Sequence, residues 1–147
     1  MDKRIKSIKT ILIVLGSLLV FSNMMGLLVN SLLFPSSDIK PTSGIDILFA
    51  NFGLICLVAV IVGILCLVGG VLLNPPKKWS RKLVILISIL SIICIVGFSL
   101  ILVSVSIKEG IGVGFSLGFL LTGIIFSSPF MVLIFQLDNK EMKKYFT

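Results

Sequence analysis

Charged residues are scarce in this chain, and histidine is missing altogether. Only 13% of its 147 residues are Asp, Glu, Lys or Arg, about half the share found in an average soluble domain. Hydrophobic residues make up 57% of the chain and the mean hydropathy is +1.22, which is more apolar surface than a small soluble fold can bury. The composition therefore excludes a soluble globular domain and predicts a protein that lies in lipid.

Ionisable residues are also absent from the middle of every long apolar run. The acidic residues fall in tails, loops or helix ends: Asp2, Asp38, Asp46, Glu109, Asp138 and Glu141. Charged groups inside a span are what proton relays, ion sites and substrate counter-ions use, and catalysis needs a base, a nucleophile or a metal cluster in one place. We therefore expect no enzyme activity, no cofactor and no metal site.

Cysteine occurs only three times, at Cys56, Cys66 and Cys94, always inside an apolar run and never in a Cys-x-x-Cys spacing. These residues are expected to be small buried hydrophobes rather than disulfide partners or zinc ligands. The net charge of +7 does not point to nucleic acid, because basic and aromatic residues are not interleaved along a soluble face.

Four apolar runs are long enough to cross a bilayer, which takes roughly 20 residues per helix. They cover about residues 11–34, 45–73, 83–107 and 111–137. The sequence thus predicts an all-α integral membrane protein, with four transmembrane helices packed as one compact antiparallel bundle over residues 1–147. The first run is expected to be retained, since it is longer than a signal-peptide core and no small-x-small cleavage site follows it. The tail after residue 137 is expected to be solvated or interfacial.

Most basic residues cluster at three places: the N-terminus, the second connection and the C-terminal tail. Of the 13 Lys and Arg residues, only Lys40 and Lys108 lie in the first and third connections. Basic residues near helix ends stay on the cytoplasmic side, so we expect a multi-pass protein of the cell (plasma) membrane with both termini cytoplasmic. The second connection is interpreted as a topology determinant and anchor in anionic lipid headgroups, or alternatively as a specific lipid or partner site. Its residues are Lys77, Lys78, Trp79, Arg81 and Lys82.

Small residues recur every third or fourth position on three of the predicted helices. Such stripes let helix backbones approach closely in lipid, where little hydrophobic force drives helices together. The fourth helix has a glycine-zipper ridge at Gly110, Gly114, Gly118 and Thr122. The second helix has Gly53, Cys56, Ala59, Gly63, Cys66 and Gly70, and the first has Gly16, Asn23, Gly26 and Asn30. Spacing alone leaves open whether each stripe meets a helix of the same chain or of another.

Polar side chains inside the runs are few. Asn23 is expected near mid-membrane, whereas Asn30 and Asn51 are expected toward the outer side, at a depth similar to each other, where they could form a hydrogen bond. Such bonds fix helix register; a solute or water pathway and a contact to another subunit are the alternatives. Pro129, which follows two serines, predicts a kink in which serine hydroxyls bond to the carbonyls that proline leaves free.

These observations favour a non-catalytic membrane protein that acts by packing against a partner in the membrane. An accessory, assembly or immunity-type subunit fits this outline, and its partner would be another membrane protein or further copies of the chain. The first alternative is a homo-oligomeric pore or small-solute facilitator lined by the asparagine-bearing faces. The second is an enzyme acting on lipid, which would need a catalytic set that the sequence does not show.

Overall fold

A computed structural model of the chain describes residues 3–33, 43–73 and 77–146. Within these ranges the backbone forms helices and no strand: α1 (Lys3–Leu33), α2 (Gly44–Ala50), α3 (Phe52–Leu72), α4 (Lys78–Lys108), α5 (Val113–Asp138) and α6 (Lys140–Lys143). Four of them, α1, α3, α4 and α5, are long and apolar enough to cross a membrane. The chain is therefore an all-helical, multi-pass membrane protein.

The helices extend beyond the apolar runs. The first begins at Lys3 instead of about residue 11, and α4 begins at Lys78 instead of 83, because the helical hydrogen bonding continues outside the hydrocarbon layer that sets the length of an apolar run. The second run is divided at Asn51 into α2 and α3. The connection predicted from Pro35 lies outside the described residues up to position 42, and so do the prolines at 75 and 76 that were expected to end the second span.

Short-range hydrogen bonds mark where two of the helices start. At α2, the Ser43 backbone N–H donates to Asp46 Oδ2 at 3.0 Å, while the Asp46 N–H donates to Ser43 Oγ at 3.1 Å. This reciprocal pair satisfies donors that have no partner within the helix. At α4, the Lys77 N–H donates to Ser80 Oγ at 3.1 Å, and Ser80 is fully buried.

The hydrophobic core lies at one end of the molecule, where α1 and α4 begin and α3 and α5 end. We call this the basic end, because the basic N-terminus, second connection and tail meet there. Its fully buried apolar side chains come from every long helix and include Ile8, Leu12, Leu73, Val84, Leu133 and Leu137. At the opposite end, two hydrogen bonds join segments of the chain: the Gly44 N–H donates to Glu109 Oε1 at 2.6 Å, and Ser116 Oγ donates to Ser106 Oγ at 3.1 Å.

The C-terminal tail packs against this core, so of the two expectations for it, a solvated or an interfacial end, the freely solvated one is wrong. Met142 and Phe146 are each only 2% exposed, in the same cluster as Ile5 and Ile8 of α1. Asn139 starts α6 by accepting a hydrogen bond from the Glu141 N–H at 3.1 Å. The segment from α6 to Phe146 turns Met142 and Phe146 inward and leaves its lysines exposed, a pattern too brief to be recognised as amphipathic in the sequence.

Pro129 lies inside α5, and the helix continues through it. Proline cannot donate to the carbonyl four residues earlier, which here belongs to Ile125. The Ser128 hydroxyl donates to that oxygen at 2.8 Å. The expectation that a serine satisfies the freed carbonyl is confirmed, and Ser128 is the serine that does so.

Candidate intramembrane interface

The small-residue stripe of α3 is covered by α1. A methyl group added at Gly63 would lie 3.0 Å from the Gly16 carbonyl oxygen, and one added at Gly16 would lie 2.7 Å from the Gly63 oxygen. Toward one end of α3, a methyl at Gly53 would lie 3.1 Å from Asn30 Nδ2; toward the other, a methyl at Gly70 would lie 3.0 Å from Ile13 Cγ1. The two backbones are thus in direct contact, as small-residue faces permit.

The two cysteines of the α3 stripe face different helices: Cys56 faces α1, and Cys66 faces α4. A methyl at Gly26 of α1 would stand 2.9 Å from Cys56 Sγ, and Cys56 is 2% exposed. Ala59 is partly buried. Cys66 is fully buried and lies within hydrogen-bonding reach of Ser91 on α4. All three cysteines are free thiols.

Two glycines that were not predicted as contact residues also bring helices together. Gly69 of α3 faces α4, where an added methyl would lie 3.2 Å from Ile87 Cδ1. Gly123 of α5 lies directly against Ser99 Oγ of α4. Gly69 is the neighbour of Gly70 in a glycine doublet and Gly123 follows Thr122, so each lies one position away from a predicted stripe, on the adjacent face of its helix.

The stripe of α5 differs from the others because its glycines face open space. Within the described part of the chain, nothing lies within 4 Å of a methyl group added at Gly114 or Gly118. Both glycines are exposed, and the exposed Thr122 donates its hydroxyl hydrogen to the Gly118 carbonyl at 2.8 Å. Phe115 and Leu121, next to this stripe in the chain, are 63% and 59% exposed. We call the surface of Gly114, Gly118 and Thr122 the α5 glycine face.

Gly110 is not part of this face, contrary to the predicted ridge. It lies in the turn after α4 with φ +66°, a left-handed conformation that glycine adopts without steric cost. The Gly110 N–H donates to the Ile107 carbonyl at 3.3 Å and the Ile111 N–H to the Ser106 carbonyl at 2.9 Å. These are the two bonds of a Schellman motif, so Gly110 ends α4 instead of packing a helix.

Two of the three asparagines predicted inside the membrane, Asn23 and Asn51, donate to the backbone carbonyl four residues earlier. Asn23 Nδ2 donates to the Leu19 carbonyl at 2.8 Å, and Asn51 Nδ2 donates to the Ile47 carbonyl at 2.8 Å. Asn30 is partly buried and lies beside Gly53 of α3. Of the three, Asn30 is therefore the one placed at a contact between α1 and α3.

The basic connection lies at the start of α4. Lys77, Lys78 and Lys82 are exposed, and Trp79 is 50% exposed. Arg81 turns inward, and its Nη1 donates to the Leu137 carbonyl at the end of α5 at 3.2 Å. Arg81 therefore joins two helix ends, while its basic neighbours and Trp79 remain available to lipid.

Buried polar groups are almost all satisfied within α4. Ser88, Ser91 and Ser99 each donate to the carbonyl four residues earlier, at 2.8 to 2.9 Å. Ser127 Oγ of α5 is buried without a hydrogen-bond partner among the described residues. In the same part of the chain, no three His, Cys, Asp or Glu side chains are grouped as metal ligands would be.

No protein family, no curated protein and no solved structure matches this chain.

Proposed function

We propose that this chain is a non-catalytic membrane protein that binds another membrane protein through the α5 glycine face. An accessory, assembly or immunity-type subunit would act in this way. One contrast carries the proposal: the α3 stripe is filled by α1, whereas Gly114 and Gly118 on α5 have no neighbour within the described residues.

Glycines one helical turn apart on the same face, unlike a lone glycine such as Gly97, form the pattern that permits close helix packing in a membrane. Each one costs about 1 kcal/mol relative to alanine in water, and close packing of backbones offsets that cost in a membrane. At Gly16, Gly63 and Gly70 the compensating contact is inside the chain. At Gly114 and Gly118 we assign it to a helix of a second protein, which would lie on the glycines between Phe115 and Leu121.

The proposed arrangement is an antiparallel bundle with both termini cytoplasmic, in the cell (plasma) membrane. Contacts that pair Gly70 with Ile13, Gly63 with Gly16 and Cys56 with Gly26 support opposite directions for α1 and α3. The positive-inside rule supports the orientation, because the basic end gathers the N-terminus, the second connection and the tail. A fluorescent protein fused after residue 147 should fold and fluoresce in the cytoplasm.

The decisive experiment is native mass spectrometry of the protein extracted gently from its own membrane. The test variants are Gly114→Leu and Gly118→Leu, because a Cβ added at either position has no atom of the described chain within 4 Å, so we expect the leucine to block an external helix. The matched control is Gly97→Leu, since Gly97 lies inside α4 and also has open space around it in the described structure. We expect both test variants to lose the complex and the control to keep it, at unchanged thermal stability.

The composition of the complex distinguishes the alternatives. Loss of a heteromer supports the accessory-subunit proposal and identifies the partner. Loss of a defined homo-oligomer would favour the pore or facilitator, and liposome flux measured with Asn23→Leu would be the next assay. If the complex survives leucine at both positions, the α5 glycine face contacts lipid and the proposal is wrong.

A further inference from the structure

A groove crosses the basic end between the first turns of α1 and the C-terminal segment. We propose that this groove binds the phosphate-bearing headgroup of an anionic phospholipid. The inference does not depend on a protein partner at the α5 glycine face, because the two surfaces lie on different residues. It depends on the four spans, which place their ends at the level of lipid headgroups.

The floor of the groove is fixed by packing. Ile5 and Ile8 of α1 and Met142 and Phe146 of the tail are each at most 2% exposed and belong to one cluster. The tail is therefore held against α1 instead of moving freely in solvent. A site built on it has a defined shape before a ligand arrives, which lowers the ordering cost of binding.

Two cavities meet at Arg4. The first, of about 610 Å³, is lined by Arg4, Glu141, Lys144 and Tyr145. The second, of about 300 Å³, is lined by Arg4, Ser7, Ile8, Gln136, Asn139 and Met142. Hydrogen-bond donors of several kinds thus surround one guanidinium: an ammonium, a phenol, a hydroxyl and two amides. Phosphate oxygens accept from all of these groups, and a guanidinium binds them with two parallel bonds.

The local charge favours an anion. Arg4 Nη1 lies 2.9 Å from Glu141 Oε2, with side-chain exposures of 62% and 68%. A pair that exposed is weak, so a phosphate group can compete with a carboxylate for Arg4. Lys144 adds a second positive charge in the same cavity. Lys3, Lys6 and Lys140, which also lie at this end, are exposed and attract anionic lipid toward it.

The groove also continues into an apolar surface, as a lipid needs. Val132 lies one helical turn before Gln136 on α5, toward the middle of the span, and is 49% exposed. Val14, two turns after Ser7 on α1, is 51% exposed. Acyl chains can follow these side chains while the phosphate stays at Arg4, whereas a free phosphate ion would use only the polar part.

The test is native mass spectrometry of the detergent-purified protein with added phosphatidylglycerol or phosphatidylcholine. We expect phosphatidylglycerol to bind preferentially, and the double variant Arg4→Gln with Lys144→Gln to weaken that binding at least about fivefold, the effect of a single basic group near an anionic surface. The matched control, Lys77→Gln with Lys78→Gln, removes the same charge from exposed residues outside the groove and should retain most of the binding. Inorganic phosphate should not displace the lipid.

A further variant keeps every charge. Ser7→Leu should occlude the smaller cavity and weaken phosphatidylglycerol binding although Arg4 and Lys144 remain. Thermal unfolding of each variant shows whether it is folded. If the double variant and its control lose phosphatidylglycerol binding equally, diffuse charge attracts the lipid. If neither the double variant nor Ser7→Leu loses binding, the groove is not the site. Displacement by inorganic phosphate alone would also overturn the assignment.

Discussion

Gly16 of α1 and Gly63 of α3 face each other where the backbones of the two helices are in direct contact. A methyl group on either residue would stand within 3.0 Å of the carbonyl oxygen of the other. At this separation the Cα–H groups lie close to the opposing carbonyls, an arrangement that contributes a weak attraction at helix interfaces. The contact also leaves no room for any larger residue at either position.

The first prediction concerns this contact. Gly63→Ala and Gly16→Ala should each destabilise the folded protein by about 1–3 kcal/mol, because overpacking forces two backbones apart. Gly97→Ala is the matched control, since an added methyl there meets open space in the described structure. Unfolding in mixed detergent micelles measures the difference. Equal stability of the three variants would show that α1 and α3 are not in backbone contact.

The second prediction separates the two roles of glycine in the segment from 110 to 118. Gly110→Ala should cost about 1–2 kcal/mol, because Gly110 has φ +66° and a left-handed conformation is strained in alanine. Gly114→Ala should not destabilise the isolated chain, since Gly114 is helical and has room for a methyl. Thermal unfolding of the two variants side by side tests this. A larger loss for Gly114→Ala than for Gly110→Ala would contradict it.

The third prediction concerns the carbonyl freed by Pro129. Ser128→Ala should destabilise the protein by roughly 0.6–2 kcal/mol, since the Ile125 oxygen loses the hydroxyl that donates to it. Combining Ser128→Ala with Pro129→Ala should recover much of that loss, because alanine restores a backbone N–H for the same oxygen. A double-mutant cycle measures the coupling. Strictly additive effects would mean that Ser128 serves no such purpose.

The fourth prediction concerns the tail. Met142→Ala should destabilise the protein by about 2–5 kcal/mol, as expected for a buried side chain of this size, whereas Tyr145→Ala should have a smaller effect because Tyr145 is 48% exposed. Limited proteolysis gives a second measurement: the tail should be cut faster in Met142→Ala than in the parent protein. A tail that is cut equally fast in both would not be packed on α1.

The positions of individual residues show how far the sequence could predict the site. Gly63 and Gly70 were predicted as contact residues and do contact α1, because small residues let helix backbones approach closely. Gly69 and Gly123 were not predicted as contact residues, although both contact α4. Gly123 lies against Ser99 of that helix. Each lies one residue from a predicted stripe. Periodicity identifies the most regular face of a single helix, but it does not show that a middle helix such as α3 contacts two neighbouring helices.

The sequence by itself determined that the protein is helical and has four runs suited to a membrane, because a helix of about 20 apolar residues is long enough to cross the hydrocarbon core. It also determined where small residues permit close approach. The tertiary structure decided which stripes are filled inside the chain and which are not: α1 covers that of α3, and that of α5 faces outward. The physical reason is that spacing defines a surface on one helix, whereas a contact depends on how all the helices are arranged. The same arrangement buries Met142 and Phe146 and brings Arg4 beside Glu141, which local hydrophobicity could not show.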